Sequence, residues 1–242
     1  MPATVPRCLI IGATGGVGRA LVERLSARGW PLVLAARTTK PLVALAEEHA
    51  AEALVFDARE ALPLEKLFAE QPGISAAVNL AGSILLKPAH MTFDEEFEET
   101  LSLNLRTAFS LVRAAGRAMR ERGGSVVLMS SCAATVGLPN HEAISAAKAG
   151  VEGLVRAAAA TYASARIRFN AVAPGLVDTP MAARITSNDA ALRASVAMHP
   201  LGRIGSPEDV ARMIEFLLDP ANDWITGKVV GVDGGLSTLR SR

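Results

Sequence analysis

Apolar residues fall along this chain in short unbroken runs, separated by stretches in which they recur every third or fourth position. The first run, Cys8-Leu-Ile-Ile11, ends in Gly12, Gly15, Gly16 and Gly18. A helical pattern follows, with Val17, Leu21 and Leu25 on one face. This reads as strand, tight turn, helix. The same rhythm predicts further strands over residues 31–37, 53–56, 74–79, 125–130, 167–172 and 228–232. It predicts helices over 41–50, 63–70, 92–120 and 142–163. Another helix begins at Ser206, the N-cap, with Pro207 at the first helical position. Residues 178–200 show neither period and predict an irregular segment. Continuous apolar strands alternating with amphipathic helices predict an α/β fold: a doubly wound parallel sheet of about seven strands, with helices on both faces and right-handed crossovers. There is no internal repeat or linker, so 1–242 reads as one domain with a loop over the substrate at about 178–200.

In such sheets ligands bind outside the carboxyl ends of the strands. Arg37, Asp57, Asn79 and Ser131 all stand at predicted carboxyl ends. The glycine turn leaves backbone N–H groups free at a helix N-terminus, where a phosphate is stabilised. Gly12 permits a sharp reversal, and Gly16 and Gly18 remove side chains where a pyrophosphate and a neighbouring strand approach. The spacing is Gly-x-x-x-Gly-x-Gly, which also suits a βα turn that holds no ligand.

Composition narrows the partners. The net charge is +1, which leaves no footprint for nucleic acid or an anionic membrane, and no apolar stretch has the length to span a bilayer. Two cysteines, Cys8 and Cys132, make no disulfide framework. They point to a reducing compartment, and with it a soluble, cytoplasmic protein. The four histidines show no metal-ligand spacing with the cysteines, so no metal is expected.

Several motifs together resemble the short-chain dehydrogenase/reductase family, and most nearly its 3-oxoacyl-(acyl-carrier-protein) reductase branch. They are the turn at 12–18, Asn79-Leu-Ala81-Gly82, Asn104, Ser130-Ser131 and Ser-Ala-Ala-Lys148-Ala-Gly. Asn170-Ala-Val-Ala-Pro174-Gly175-Leu-Val177-Asp-Thr179, Pro200-Leu-Gly-Arg-Ile-Gly, Thr226-Gly227 and Val232-Asp-Gly-Gly235 complete them. The resemblance covers nearly the whole chain and implies a Rossmann-type domain with a nicotinamide cofactor. It implies that Thr14, Gly15 and Val17 hold the phosphates within the Gly12, Gly16 and Gly18 turn. Asp57 would meet the adenine, and Asn79, Ala81 and Gly82 the adenosine side. Pro174, Gly175, Val177 and Thr179 would face the nicotinamide amide, and Lys148 its ribose. At the end of the second strand a carboxylate would suit a free 2′-hydroxyl, whereas a base suits a 2′-phosphate. The chain has Ala36-Arg37-Thr38-Thr39-Lys40 there, which favours NADP(H) over NAD(H).

The family's catalytic group is an Asn, a Ser, and a Tyr four residues before a Lys. Asn104, Ser131 and Lys148 occupy three of these places. The tyrosine place is taken by Ile144, and the single tyrosine, Tyr162, lies far along the same helix. A ketone that accepts hydride needs a proton, and isoleucine has none to give. His141, three residues earlier, is either a replacement acid or a loop histidine facing solvent. Two functions follow. One is an NADP(H)-dependent oxidoreductase acting on a carbonyl or alcohol, such as a 3-oxoacyl thioester, with an altered proton donor. The other is a catalytically impaired cofactor-binding subunit that partners an active relative. The small residues of helix 142–163 predict a homodimer or homotetramer, or a hetero-oligomer with such a relative.

Overall fold

The computed structural model describes residues 5–59 and 61–239. The ends of the 1–242 domain expectation, 1–4 and 240–242, and residue 60 lie outside the described residues. Seven parallel strands form one sheet: β1 (Arg7–Ile11), β2 (Leu32–Ala36), β3 (Glu52–Val55), β4 (Ile74–Asn79), β5 (Gly124–Met129), β6 (Ile167–Pro174) and β7 (Val229–Val232). Their order is β3-β2-β1-β4-β5-β6-β7. Chain order therefore reverses direction between β1 and β4. There the ends of both strands are level, Ile11 opposite Asn79.

Every residue of β2 is buried, as are all but the first of β1. That is why these strands read as unbroken apolar runs. On one face lie α1 (Gly16–Ala27), α2 (Thr39–Glu48) and a C-terminal helix, Pro207–Leu218. Leu21, Leu25, Leu42, Leu45, Ile214 and Leu217 join one core there. On the other face lie α3 (Ala61–Glu70), a helix over Thr107–Ala118 and another over Glu142–Tyr162. Leu64, Leu111, Val151 and Val155 meet Phe169 in the second core.

Two expectations require correction. The single helix over 92–120 is three pieces: α4 (Asp94–Leu101), a π-helical turn (Ser102–Arg106) and α5 (Thr107–Ala118). Asn104 Nδ2 donates to the Thr100 carbonyl at 3.0 Å, the acceptor its own N–H would take in a regular α-helix. Thr107 Oγ1 likewise bonds the Leu103 carbonyl at 2.8 Å. After α6 (Glu142–Tyr162), the segment expected to be irregular is largely helical, with α7 (Ala183–Thr186) and α8 (Asp189–Met198). The break at Thr186-Ser187-Asn188 hides the period. Asn188 caps α8, its side chain accepting from the Ala191 N–H at 3.0 Å. The helix that begins at Ser206 is α9 (Pro207–Leu218). It opens with a reciprocal capping box between Ser206 and Asp209.

Candidate functional site

The carboxyl ends of β1, β4, β5 and β6 open into a cleft at the reversal point. Gly12 turns the chain out of β1 at φ +83°, a region closed to most side chains. A Cβ on it would also stand 3.0 Å from the Leu80 carbonyl carbon. A Cβ on Gly18 would lie 2.4 Å from the Gly12 carbonyl oxygen. So the turn closes tightly and aims α1 at the cleft. The N-cap of α1 is Gly15, with no side-chain cap and no acid in the first turn. Its terminal N–H groups therefore lack a side-chain acceptor, which suits an anion.

Two adjoining cavities share Gly12, Gly15, Leu80, Ala81, Gly82 and Met181. The first, about 220 Å3, is lined by Gly16, Val17 and Gly18 of the turn. Asn104, Ser131, Ile144 and Lys148 line its inner wall, and Pro174, Gly175, Val177 and Thr179 its outer wall. The second, about 200 Å3, reaches Thr14, Arg37, Thr38 and Asp57. Together they form one groove running from the end of β2 to the end of β6, the direction a dinucleotide takes across such a sheet. An uncapped helix end, a base at one end and an apolar chamber at the other fit the nicotinamide cofactor that the motifs imply.

Arg37 is exposed and has no ion-pair partner among the described residues. Asp57 is drawn to Arg59, 2.6 Å away, which holds its carboxyl down at about 2. Its oxygens are thus largely taken by a neighbour. Asn79 lies beneath the groove rather than in its wall. It is 3% exposed, donates to Thr107 Oγ1 at 3.0 Å and accepts from the Ala81 N–H at 3.0 Å. It shapes the Ala81-Gly82 turn that does line the groove.

At the inner end, the π-helical turn carries Asn104 into the wall. Its Oδ1 accepts from the Ser83 N–H at 3.3 Å, and its Nδ2 bonds Ser83 Oγ at 3.1 Å. Lys148 Nζ donates to the Met129 carbonyl at 2.9 Å. Burial without a facing carboxylate pushes its ammonium down to about 8. Ser131 Oγ accepts from the Ala133 N–H at 3.2 Å. Ile144, 4% exposed, completes the wall. Cys132 beside it is an inert thiol, raised to about 11 chiefly by burial.

His141 is not brought to this wall. It caps the start of α6 only by position, with Nδ1 2.7 Å from the Pro139 carbonyl, and it does not line the cavity. Leu176, within the Pro174–Thr179 stretch, and Met181, within the segment expected over the substrate, both line the cavity, whereas sequence reasoning missed Ser83, the partner of Asn104. Ser83 follows directly on the Asn79–Gly82 motif, the one signal that pointed to it. No group of His, Cys, Asp and Glu suited to a metal occurs among the described residues.

The family model described as enoyl-(acyl carrier protein) reductase matches residues 12–237. A tropinone reductase homologue of Arabidopsis thaliana is 34% identical over 95% of this chain and 91% of its own length. The 3-oxoacyl-(acyl-carrier-protein) reductase of Thermotoga maritima is 32% identical over 95% and 96%. Among solved structures, a putative NAD(P)-dependent gluconate 5-dehydrogenase from Beutenbergia cavernae, with bound NADP, superposes with a TM-score of 0.91. It is 32% identical, over 97% of both chains. Actinorhodin polyketide ketoreductase with NADPH gives 0.90 at 29% identity, over 97% of this chain and 98% of its own. With this likeness running from the glycine turn to the last strand, the chain belongs to the short-chain dehydrogenase/reductase family of oxidoreductases.

Proposed function

We propose that the protein binds NADP(H) in preference to NAD(H) and interconverts a carbonyl and an alcohol, slowly, in a site without a phenol. The observation that carries this is the continuous groove joining Arg37 to the wall of Asn104, Ser131 and Lys148. Arg37 would clamp a 2′-phosphate, and the α1 N-terminus the pyrophosphate. The walls from Pro174 to Thr179 would hold the nicotinamide, whose reduced form supplies a hydride. Ser131 would donate a hydrogen bond to the substrate oxygen as charge grows there. Lys148 keeps a positive charge close by at neutral pH. The relatives named reductase, and the neighbours that hold NADP or NADPH, support this reading. A ketone of the 3-oxoacyl thioester type fits the apolar chamber of Ile84, Ile144 and Met181.

One observation favours the second reading, a non-catalytic partner of an active relative: Ile144 fills the wall where a proton donor would stand. Both readings place the protein in a reducing, cytoplasmic setting, with its two cysteines unpaired. Both also expect it to pair with a second subunit through the α4–α6 face.

Titrating the protein with NADPH and NADH by fluorescence tests the cofactor assignment. Tighter NADPH binding, reversed by Arg37→Asp, is expected. Equal affinities in the wild type would refute it.

A further inference from the structure

His199 is a buried histidine that the site described above does not use. It follows α8 and is 3% exposed. Both ring nitrogens are bonded to backbone. Nδ1 lies 2.6 Å from the Ser195 carbonyl, on the last turns of α8. Nε2 lies 3.2 Å from the Leu176 nitrogen and accepts its N–H. An acceptor at Nε2 and a carbonyl at Nδ1 define one state: neutral, with the proton on Nδ1. Leu176 belongs to the Pro174–Thr179 wall of the cleft. The ring therefore bridges that wall and the helical segment 180–198, of which Met181 and Ala182 also line the cavity.

The surroundings are fitted to the ring. A Cβ on Gly175 would stand 2.5 Å from His199 Nε2, so only glycine leaves room for the imidazole. Gly234 packs on the other side, its added Cβ 3.6 Å from that of His199. The backbone on either side is tied too: the Gly202 N–H bonds the His199 carbonyl at 2.8 Å, and the Leu201 N–H bonds the Gly234 carbonyl at 3.1 Å.

We propose that His199 is a positioning residue. Its neutral ring couples the cofactor-facing wall 174–179 to the covering segment 180–198, and protonation uncouples them. A proton on Nε2 would face the Leu176 N–H, turning an acceptor into a second donor, and that hydrogen bond would be lost. The charged groups around the ring come from three elements. Asp233, after β7, is the carboxylate whose field reaches it, but its oxygens already accept from the Gly235 and Ser237 N–H groups. Arg203, in the turn before α9, is paired with Asp209 of that helix. Arg212 on α9 lies 3.4 Å from Glu208. The hydrogen bond that Nε2 makes is to the Leu176 N–H, and it is this bond that a proton there removes. The proposal rests on the dinucleotide reading only where it concerns affinity; the coupling itself is a property of the free protein.

The test is hydrogen exchange of the free protein, read by mass spectrometry over residues 174–199 and corrected for intrinsic rates, between about pH 5 and pH 8. NADPH titrations accompany it at both ends of that range. Wild type should lose protection of this segment on acidification by roughly three- to tenfold, the weight of one hydrogen bond, and should bind NADPH correspondingly less well. His199→Gln, which can accept from Leu176 but cannot titrate, should keep its protection at both ends. His199→Ala should be loose at both. Acid loosening in His199→Gln equal to that of wild type would overturn the proposal, as would wild-type protection in His199→Ala. If no variant binds NADPH while the exchange pattern holds, the coupling stands and the cofactor assignment falls.

Discussion

Ile144 and Lys148 are one turn apart on the same face of α6, and both reach the inner wall of the cleft. A tyrosine in place of Ile144 would extend toward the chamber beside Ser131, within the field of the Lys148 ammonium, which lowers a phenol's pKa. Ile144→Tyr should therefore raise ketone reduction by roughly a hundredfold or more, the usual worth of a general acid. NADPH consumption with a 3-oxoacyl thioester measures it. A folded, NADPH-binding variant no faster than wild type would favour the partner reading. The opposing force is steric: overpacking a wall built around isoleucine costs about 1–3 kcal/mol. Lys148 gives a second expectation. Its pKa falls from 10.5 to about 8 on folding because burial penalises the charge. The folded chain thus binds fewer protons at this site than the unfolded one between those values, and this site's contribution to stability rises with pH there. In urea titrations, the advantage of Lys148→Met over wild type should be largest below about pH 8 and should shrink toward 10.5. An advantage that does not change with pH would show that the amine is not desolvated.

At the scale of elements, the strands and the glycine turn were legible because a strand buried on both faces leaves an apolar run and a tight turn leaves glycines. β1, β2 and β4 through β6 lie within a residue or two of where the pattern puts them. The π-helical turn was not legible. Its cause is a side chain, Asn104, competing with its own backbone for the Thr100 carbonyl, and hydrophobic spacing does not record such competition. α7 and α8 were hidden for a related reason: short helices that cover a cleft bury too little to show a period. Of the site, the residues named by motif mostly line the groove. Asn79 and His141 show the limit, since a polar residue at a strand end or helix start can serve the turn beside it as well as a ligand. The bond from His199 to Leu176 joins positions far apart in sequence, and nothing in their local context announces it.

At the scale of the whole molecule, the face formed by α4, the π-helical turn, α5 and α6 is left uncovered. A groove of about 420 Å3 runs across it, lined by Leu101, Leu105, Phe109 and Leu154. Phe109 is 51% exposed and Phe97 37%. We propose that this apolar patch is a contact surface, with the small residues of α6 leaving room for another helix. Light scattering at micromolar concentration should therefore give a mass at least twice 25.3 kDa. Phe109→Glu should lower it while leaving the circular dichroism unchanged. A wild-type monomer would rule out self-association and leave a different subunit as the occupant.

The covering segment leaves and rejoins the body of the protein at one point. Val177 and Gly205 form a bridge, with the Asp178 N–H on the Gly205 carbonyl at 2.9 Å and the Gly205 N–H on the Leu176 carbonyl at 2.8 Å. A stretch clasped at its base in this way can change its length and its side chains without moving the frame that carries it. The glycine turn, Arg37 and Asp57, which line the far end of the groove, lie outside the clasp, whereas Met181, which also lines that end, lies within it. Selection can thus rewrite the lining of the chamber, one cassette at a time, while the glycine turn at the far end of the groove and the folding of the sheet are inherited intact.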